Sequence, residues 1–102
     1  MPRKYSVIIQ ERAYRDLRDM LVYVTGAASI DVAERLRVDL LEQMRSLEKF
    51  PERFQVIMVV RGCEIRHIVF KRGFRVLYTV RGNTVHVLHC VRSEQSIDNL
   101  FE

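Results

Sequence analysis

The spacing of apolar residues changes once along this chain, and that single change limits the folds open to it. Before Pro51 the apolar positions recur at helical intervals. Ala13, Leu17, Met20, Leu21 and Val24 fall at i, i+4, i+7, i+8 and i+11, one face of a helix beginning near Glu11. After Pro51 they come in short β-rich runs: Gln55 to Val60, Glu64 to Phe70, Phe74 to Val80 and Thr84 to Val91. Arg61-Gly62, Lys71-Arg72-Gly73 and Arg81-Gly82-Asn83 separate the runs, and Gly-Asn between two alternating stretches signals a two-residue hairpin. Residues 5–10 form one more β-branched run, read as a first strand. The only layer available to cover the sheet is the helical pair. The expected fold class is therefore α+β, two-layer, with an N-terminal strand and helical hairpin packed on a three- to four-stranded antiparallel sheet.

Thr25-Gly26-Ala27-Ala28-Ser29 is expected to interrupt the helices, with Gly26 as the first helix's C-cap residue. The second helix is predicted to start at Ser29 or Asp31, where Asp31 and Glu34 have capping-box spacing. Ala33, Leu36, Leu40, Met44 and Leu47 make its core stripe. Val38 and Leu41 lie off that stripe, because positions 38 and 40 differ by about 200° around a helix of 3.6 residues per turn. A helix apolar over so wide an arc is either deeply buried or half of a binding surface. In 102 residues burial on all sides is difficult, which favours a partner groove on the hairpin.

Composition narrows the class further. At 48% hydrophobic residues the chain is too apolar for a disordered segment, and its length suits one domain over residues 1–102. No apolar run approaches the ~20 residues that span a bilayer. The basic N-terminus lacks an apolar h-region and a cleavage site, so a cytoplasmic protein without a membrane partner is expected. Cys63 and Cys90 are too few for a disulfide framework. Cys63-x3-His67 with His86 and Cys90 is a poor zinc pattern, without the tightly paired C-x-x-C spacing. Gly62, Gly73 and Gly82 read as turn residues, not as a phosphate loop. No metal or cofactor is expected.

Charge is concentrated. Residues 61–92 hold seven Lys or Arg against one acid, Glu64, and all three histidines, in a chain of net charge +4. Only Lys4, Lys49 and Lys71 of the 17 basic residues are lysine, and arginine forks suit phosphate or carboxylate recognition. The same charge also fits a solvated surface. With strict alternation, Val76, Tyr78 and Val80 share one sheet face, while Arg75, Leu77 and Thr79 share the other. On the last strand Val85, Val87, His89 and Val91 alternate with His86, Leu88, Cys90 and Arg92. If the valine faces are packed, Arg75 and Arg92 both project from the open face. His67 and His89 alternate with apolar neighbours and read as hydrogen-bonded core histidines. The tail carries a small apolar patch, Ile97, Leu100 and Phe101. A plain nucleic-acid module is disfavoured: the second helix is nearly charge-balanced, Arg35, Arg37 and Arg45 facing Glu34, Asp39 and Glu42, where a recognition helix shows a basic face.

Four segments carry a family resemblance. They are Glu11-Arg12-Ala13-Tyr14-Arg15-Asp16-Leu17 with Tyr23; Ser46-Leu47-Glu48-Lys49-Phe50-Pro51-Glu52-Arg53-Phe54; Phe74-Arg75-Val76-Leu77-Tyr78-Thr79-Val80; and Val85-His86-Val87-Leu88-His89-Cys90-Val91-Arg92. In order and spacing the chain resembles the RelE/ParE superfamily of bacterial type II toxins. The resemblance implies a cognate antitoxin as partner, wrapped across the helical hairpin and an edge strand, with Leu21, Val24, Val38 and Leu41 as candidate contacts.

It also implies one of two activities. ParE-like members poison DNA gyrase, and here Arg61, Arg66, Arg72, Arg75 and Arg92 would contact the target. RelE-like members are ribosome-dependent mRNA endoribonucleases, and that reading would use Arg75 on the phosphate, His67 or His89 for proton transfer, and Arg92, with ribosome and mRNA as partners. Arg92 stands where many nucleases have histidine, and Ser93 to Ile97 contains no tyrosine. With a shortened last strand, His89-x-x-Arg92 matches a "H-x-x-R" ending of ParE-like members. The nuclease set is incomplete in either register, so the ParE-like reading is favoured.

Overall fold

A computed structural model describes residues 4–70 and 73–101. Strand β1 (Ser6–Ile9) passes through Gln10 into helices α1 (Glu11–Ala27) and α2 (Ile30–Ser46). A 3-10 turn at Pro51–Arg53 then opens β2 (Val56–Val60), β3 (Cys63–Phe70), β4 (Phe74–Arg81) and β5 (Thr84–Arg92). Ser29 caps α2: its backbone is extended and its Oγ accepts from the Val32 amide at 3.1 Å, satisfying one of the helix's orphan donors. Glu34 does not complete a capping box; it binds Arg37 instead. The expected C-cap at Gly26 is also displaced. α1 continues to Ala27, and the Ala28 amide closes it onto the Val24 carbonyl. Alanines at 27 and 28 keep the last turn helical, and one glycine there costs only about 1 kcal/mol.

The sheet has five strands in the order β1-β5-β4-β3-β2. β1 runs parallel to β5 and every other pair is antiparallel. The expected antiparallel sheet holds for the four strands β2–β5, and the N-terminal strand joins them in parallel, which makes the sheet five-stranded and mixed. The physical reason is that the N-terminal run needs partners for its amides and carbonyls, and the outer edge of β5 supplies them. The Ser6 amide donates to the Asn83 carbonyl, and the Gln10 amide to the Val87 carbonyl, both at 2.9 Å. Arg61 and Gly62, both at positive φ (50° and 80°), close β2 onto β3 as a primed two-residue turn. Gly82, at φ 59°, holds the corresponding turn between β4 and β5.

One irregularity rearranges the faces of β5. Leu77 pairs with His89 but Tyr78 pairs with Val87, which leaves Leu88 as an extra residue, a β-bulge. Beyond it the alternation reverses. Cys90 joins Val85 and Val87 under the helices, and Val91 turns to the opposite side with Leu77. Arg92, opposite Phe74, therefore lies on the helix side, and Arg75 does not share its face.

The main core fills the space between the hairpin and the sheet. Ala13, Leu17, Met20 and Val24 of α1 and Leu36, Leu40 and Met44 of α2 meet Val76, Tyr78, Val85 and Val87. Each such Leu, Met or Val stabilises the fold by roughly 1.5–3 kcal/mol through burial. The second sheet face is not open as expected. Ile97, Leu100 and Phe101 of the tail pack on Ile65, Leu77 and Val91. Among the described residues no helix is long and apolar enough to cross a membrane.

Candidate functional site

Between the outward faces of α1 and α2 lies a groove of about 530 Å³, lined by Tyr14, Leu17, Arg18, Leu21, Val22, Thr25, Arg37 and Leu41. Its position follows from the two-sided apolarity of the helices. Residues 17 and 40 belong to the inward stripes, while Leu21 and Leu41 stand at the edge of the core and remain half-buried. Tyr14 and Val22 are well exposed, Val22 at 69%. Of the four candidate partner contacts, Leu21 and Leu41 lie in the groove. Val38 is exposed outside its lining, and Val24 points inward at 8% exposure, which removes it from any external contact. Tyr14, Val22 and Thr25 were missed in the sequence. The signal was a second stripe on α1, at positions 14, 18, 21/22 and 25, hidden by the more hydrophobic core stripe beside it.

Two arginines stand at the rim. Arg37 donates from Nε to Glu34 at 3.0 Å, and its Nη2 binds the other carboxylate oxygen. That hydrogen bond holds the Glu34 carboxyl below its usual range and raises the Arg37 guanidinium. Arg18 stands 3.7 Å from Asp19. The groove is an apolar trough with cations at its margin, each already sharing a local acid.

Of the five basic residues proposed for target contact, the four that are described do not converge. Arg61 is exposed at the β2–β3 turn. Arg66 lies on the helix side of β3 and donates to the Glu52 and Phe54 carbonyls at 2.9 and 2.6 Å, with Glu64 at 3.8 Å. Glu64 thus pairs with Arg66 and lies across the sheet from Arg75. Arg72 lies outside the described residues. Arg75 donates from Nη2 to the Gln95 carbonyl at 2.9 Å, while its buried Nε has no protein partner. Arg92 is exposed and rests on the Tyr23 ring, 4.3 Å from its centroid, a cation–π contact with α1.

The candidate nuclease set is equally dispersed. His67 lies on the tail face with its Nδ1 buried and unpartnered, and burial, then the neighbouring Arg75 charge, lowers its pKa. His89 is occupied: its Nδ1 is 3.1 Å from an Asp16 oxygen and its ring packs edge-on to Phe101. The same Asp16 oxygen accepts the Cys90 amide at 3.2 Å, so α1 ties down the β5 bulge where the ladder is interrupted. Cys90 is a buried thiol pushed up to about 12 by desolvation, with Asp16 adding to it. Tyr78, fully buried, donates its hydroxyl to the Pro51 carbonyl, and burial raises it to about 12. His86 meets Gln10 at 2.9 Å. The bulge places Cys90 and His67 on opposite faces, and among the described residues no group of three His, Cys, Asp or Glu is arranged to hold a metal.

The family model for the ParE toxin of the type II toxin–antitoxin system, parDE, matches residues 7–97. Among solved structures, a chromosomal ParDE TA system from P. aeruginosa is similar with a TM-score of 0.77 at 20% sequence identity, covering 90% of this chain and 99% of that one. At that identity the likeness is one of fold. No curated protein matches the chain in sequence.

Proposed function

The chain belongs to the ParE toxin family of type II toxin–antitoxin systems, and from that premise we propose that it arrests growth by poisoning DNA gyrase until a cognate antitoxin neutralises it. The observation that carries the antitoxin part is the groove of about 530 Å³ on the hairpin. It is apolar along its floor and bears Arg18 and Arg37 at its rim. An amphipathic helix with acidic flanks fits such a trough: its apolar side covers Leu21, Val22 and Leu41, and its acids compete with Asp19 and Glu34 for the rim arginines. β2 and β1 are the edge strands, and an extended antitoxin segment can add to either.

The target part rests on family membership together with the state of the polar residues. Ribonuclease action needs a base, an acid and a phosphate-binding cation around one scissile bond. In this chain Arg75 is engaged by the tail, the buried His67 Nδ1 has no protein partner, His89 is held by Asp16, and Arg92 stands on the opposite face. That arrangement favours a binding poison over a nuclease. Arg61 and Arg92, whose side chains are exposed, are the better target contacts of the original five. The place of action on this reading is the cytoplasm, and no cofactor takes part.

The experiment is a supercoiling assay with gyrase run beside primer extension on translated mRNA. Inhibited supercoiling with intact transcripts is expected; cleaved transcripts with normal supercoiling would replace this reading by the ribosome-dependent nuclease. In the same preparation Leu41→Asp should weaken antitoxin binding at least ~10-fold, as an anchor residue does, with little change in melting temperature. Unchanged affinity with a collapsed melting temperature would place Leu41 in the core.

A further inference from the structure

Among the described residues two non-glycines lie at positive φ, Arg61 in a tight hairpin turn and the aromatic Phe50 outside any hairpin. Phe50 follows α2 and precedes the 3-10 turn, with φ 49° and ψ 55°, in the left-handed region. That region favours glycine and is an outlier for a large aromatic residue. Its side chain gains little in return inside the molecule, since the residue is 63% exposed. An exposed ring on a disfavoured backbone is not explained by folding stability.

The backbone around it is held with unusual thoroughness. Arg53 Nη1 donates to the Lys49 and Phe50 carbonyls at 2.6 and 3.0 Å, and its Nη2 to Ser46 Oγ at 2.9 Å. Arg66 Nη1 binds the Glu52 and Phe54 carbonyls, and the buried Tyr78 hydroxyl binds the Pro51 carbonyl. Five of the six carbonyls of residues 49–54 are thereby fixed by side chains, three of them from the sheet. The result is a rigid loop whose outward feature is a phenyl ring, beside a hollow of about 390 Å³ lined by Tyr5, Phe50, Pro51, Glu52 and Arg53.

We infer that Phe50 is a preorganised anchor for a protein partner, inserted into an apolar pocket of that partner while the adjacent hollow receives a side chain in exchange. A rigid aromatic loses little entropy on docking, which is what makes such residues interface hot spots. The local charges favour protein over nucleic acid. Arg53 is committed to carbonyls, Lys4 pairs with Glu48 at 3.7 Å, and the flanking Lys49 and Glu52 have opposite signs, so a phosphate backbone meets no free arginine cluster. Phe50 is not among the residues lining the helical groove, so a helix seated in that groove does not contact it. The partner is then the protein the toxin acts on, a step that rests on the growth-arrest reading above but not on the target being gyrase.

The test compares full-length Phe50→Ala and Phe50→Gly with wild type, and with Val69→Ala as a control for loss of exposed apolar surface, Val69 being 60% exposed. Both Phe50 variants should lose growth arrest on induction, needing at least roughly 30-fold more toxin for the same effect. Both should bind antitoxin within about 2-fold of wild type, and Phe50→Gly should melt no lower than wild type because glycine relieves the left-handed backbone. Val69→Ala should arrest growth normally. Full growth arrest by both Phe50 variants would overturn the inference. So would activity lost only together with antitoxin binding, equal loss in Val69→Ala, loss of binding to naked duplex DNA, or a wild-type chain that arrests nothing. If wild type arrests growth while gyrase supercoils normally, the gyrase reading fails and the Phe50 comparison still decides this one.

Discussion

The two faces of the sheet are covered by unequal means. On one, two helices of 17 residues each bury a cluster that includes Leu40, Met44, Tyr78 and Val87, each at 1% exposure or less. The polar groups admitted there are matched: Tyr78 has the Pro51 carbonyl and Arg66 has two carbonyls of its own. On the other face an irregular tail packs on a smaller cluster built on Ile65, Leu77 and Val91. Beneath or beside it, His67 Nδ1, Arg75 Nε and Ser93 Oγ are buried without a protein partner, and each such atom costs about 1–3 kcal/mol when dry. The helix face specifies the fold. The tail face is cheaper to uncover, and it is where His67 of β3 and Arg75 of β4 lie.

The largest expected effect separates the two sides directly. Leu40→Ala should cost about 2–5 kcal/mol by transfer and cavity terms, whereas Phe101→Ala, half-buried on the tail side, should cost about 1 kcal/mol. Urea unfolding of both variants checks this, and equal losses would abolish the contrast. Tyr78→Phe should come next, at about 1–3 kcal/mol, because it leaves the Pro51 carbonyl without its donor.

The same residue gives a pH signature. Tyr78 is raised to about 12 when folded, burial being the main cause, against an unfolded value near 10. Between those values only the folded state keeps the proton, so stability should fall as pH rises from 10 towards 12. That component should vanish in Tyr78→Phe. The smallest effect belongs to the tail face. His67, lowered by burial and by Arg75, takes up its proton more readily in the unfolded chain, so stability should decline as pH falls below about 6.5. His67→Gln should flatten the urea midpoint over pH 5–7; an unchanged slope would show that His67 is hydrated in solution.

The parts of this fold that were legible in the sequence are those written in local periodicity. Ala33, Leu36, Leu40, Met44 and Leu47 all lie buried where a single helical stripe put them, and the family segments appear in their expected elements. What was not legible depends on one-residue events or distant partners. The extra residue at Leu88 leaves no mark on composition, yet it exchanges the faces of Cys90, Val91 and Arg92, and so separates Arg92 from Arg75. Arg66 looked like a surface contact because its acceptors, the carbonyls of residues 52 and 54, have no side-chain signature. Of the groove, Leu21 and Leu41 could be read from the helical wheel; Val24 could not be told from them, since its inward turn is decided by packing.

The pairing of β1 with β5 has a temporal consequence. Ser6 lies opposite Thr84 and Ile9 opposite Val87, so the first strand of the chain must wait for the last to leave the ribosome. Until then β1 has no strand to pair with, and β2, β3 and β4 lack the neighbour that joins them to it, a delay that high sequence separation imposes on any such topology. A nascent chain halted anywhere before residue 84 therefore cannot assemble the five-stranded sheet, and synthesis itself withholds the pairing of the first strand until β5 has been made.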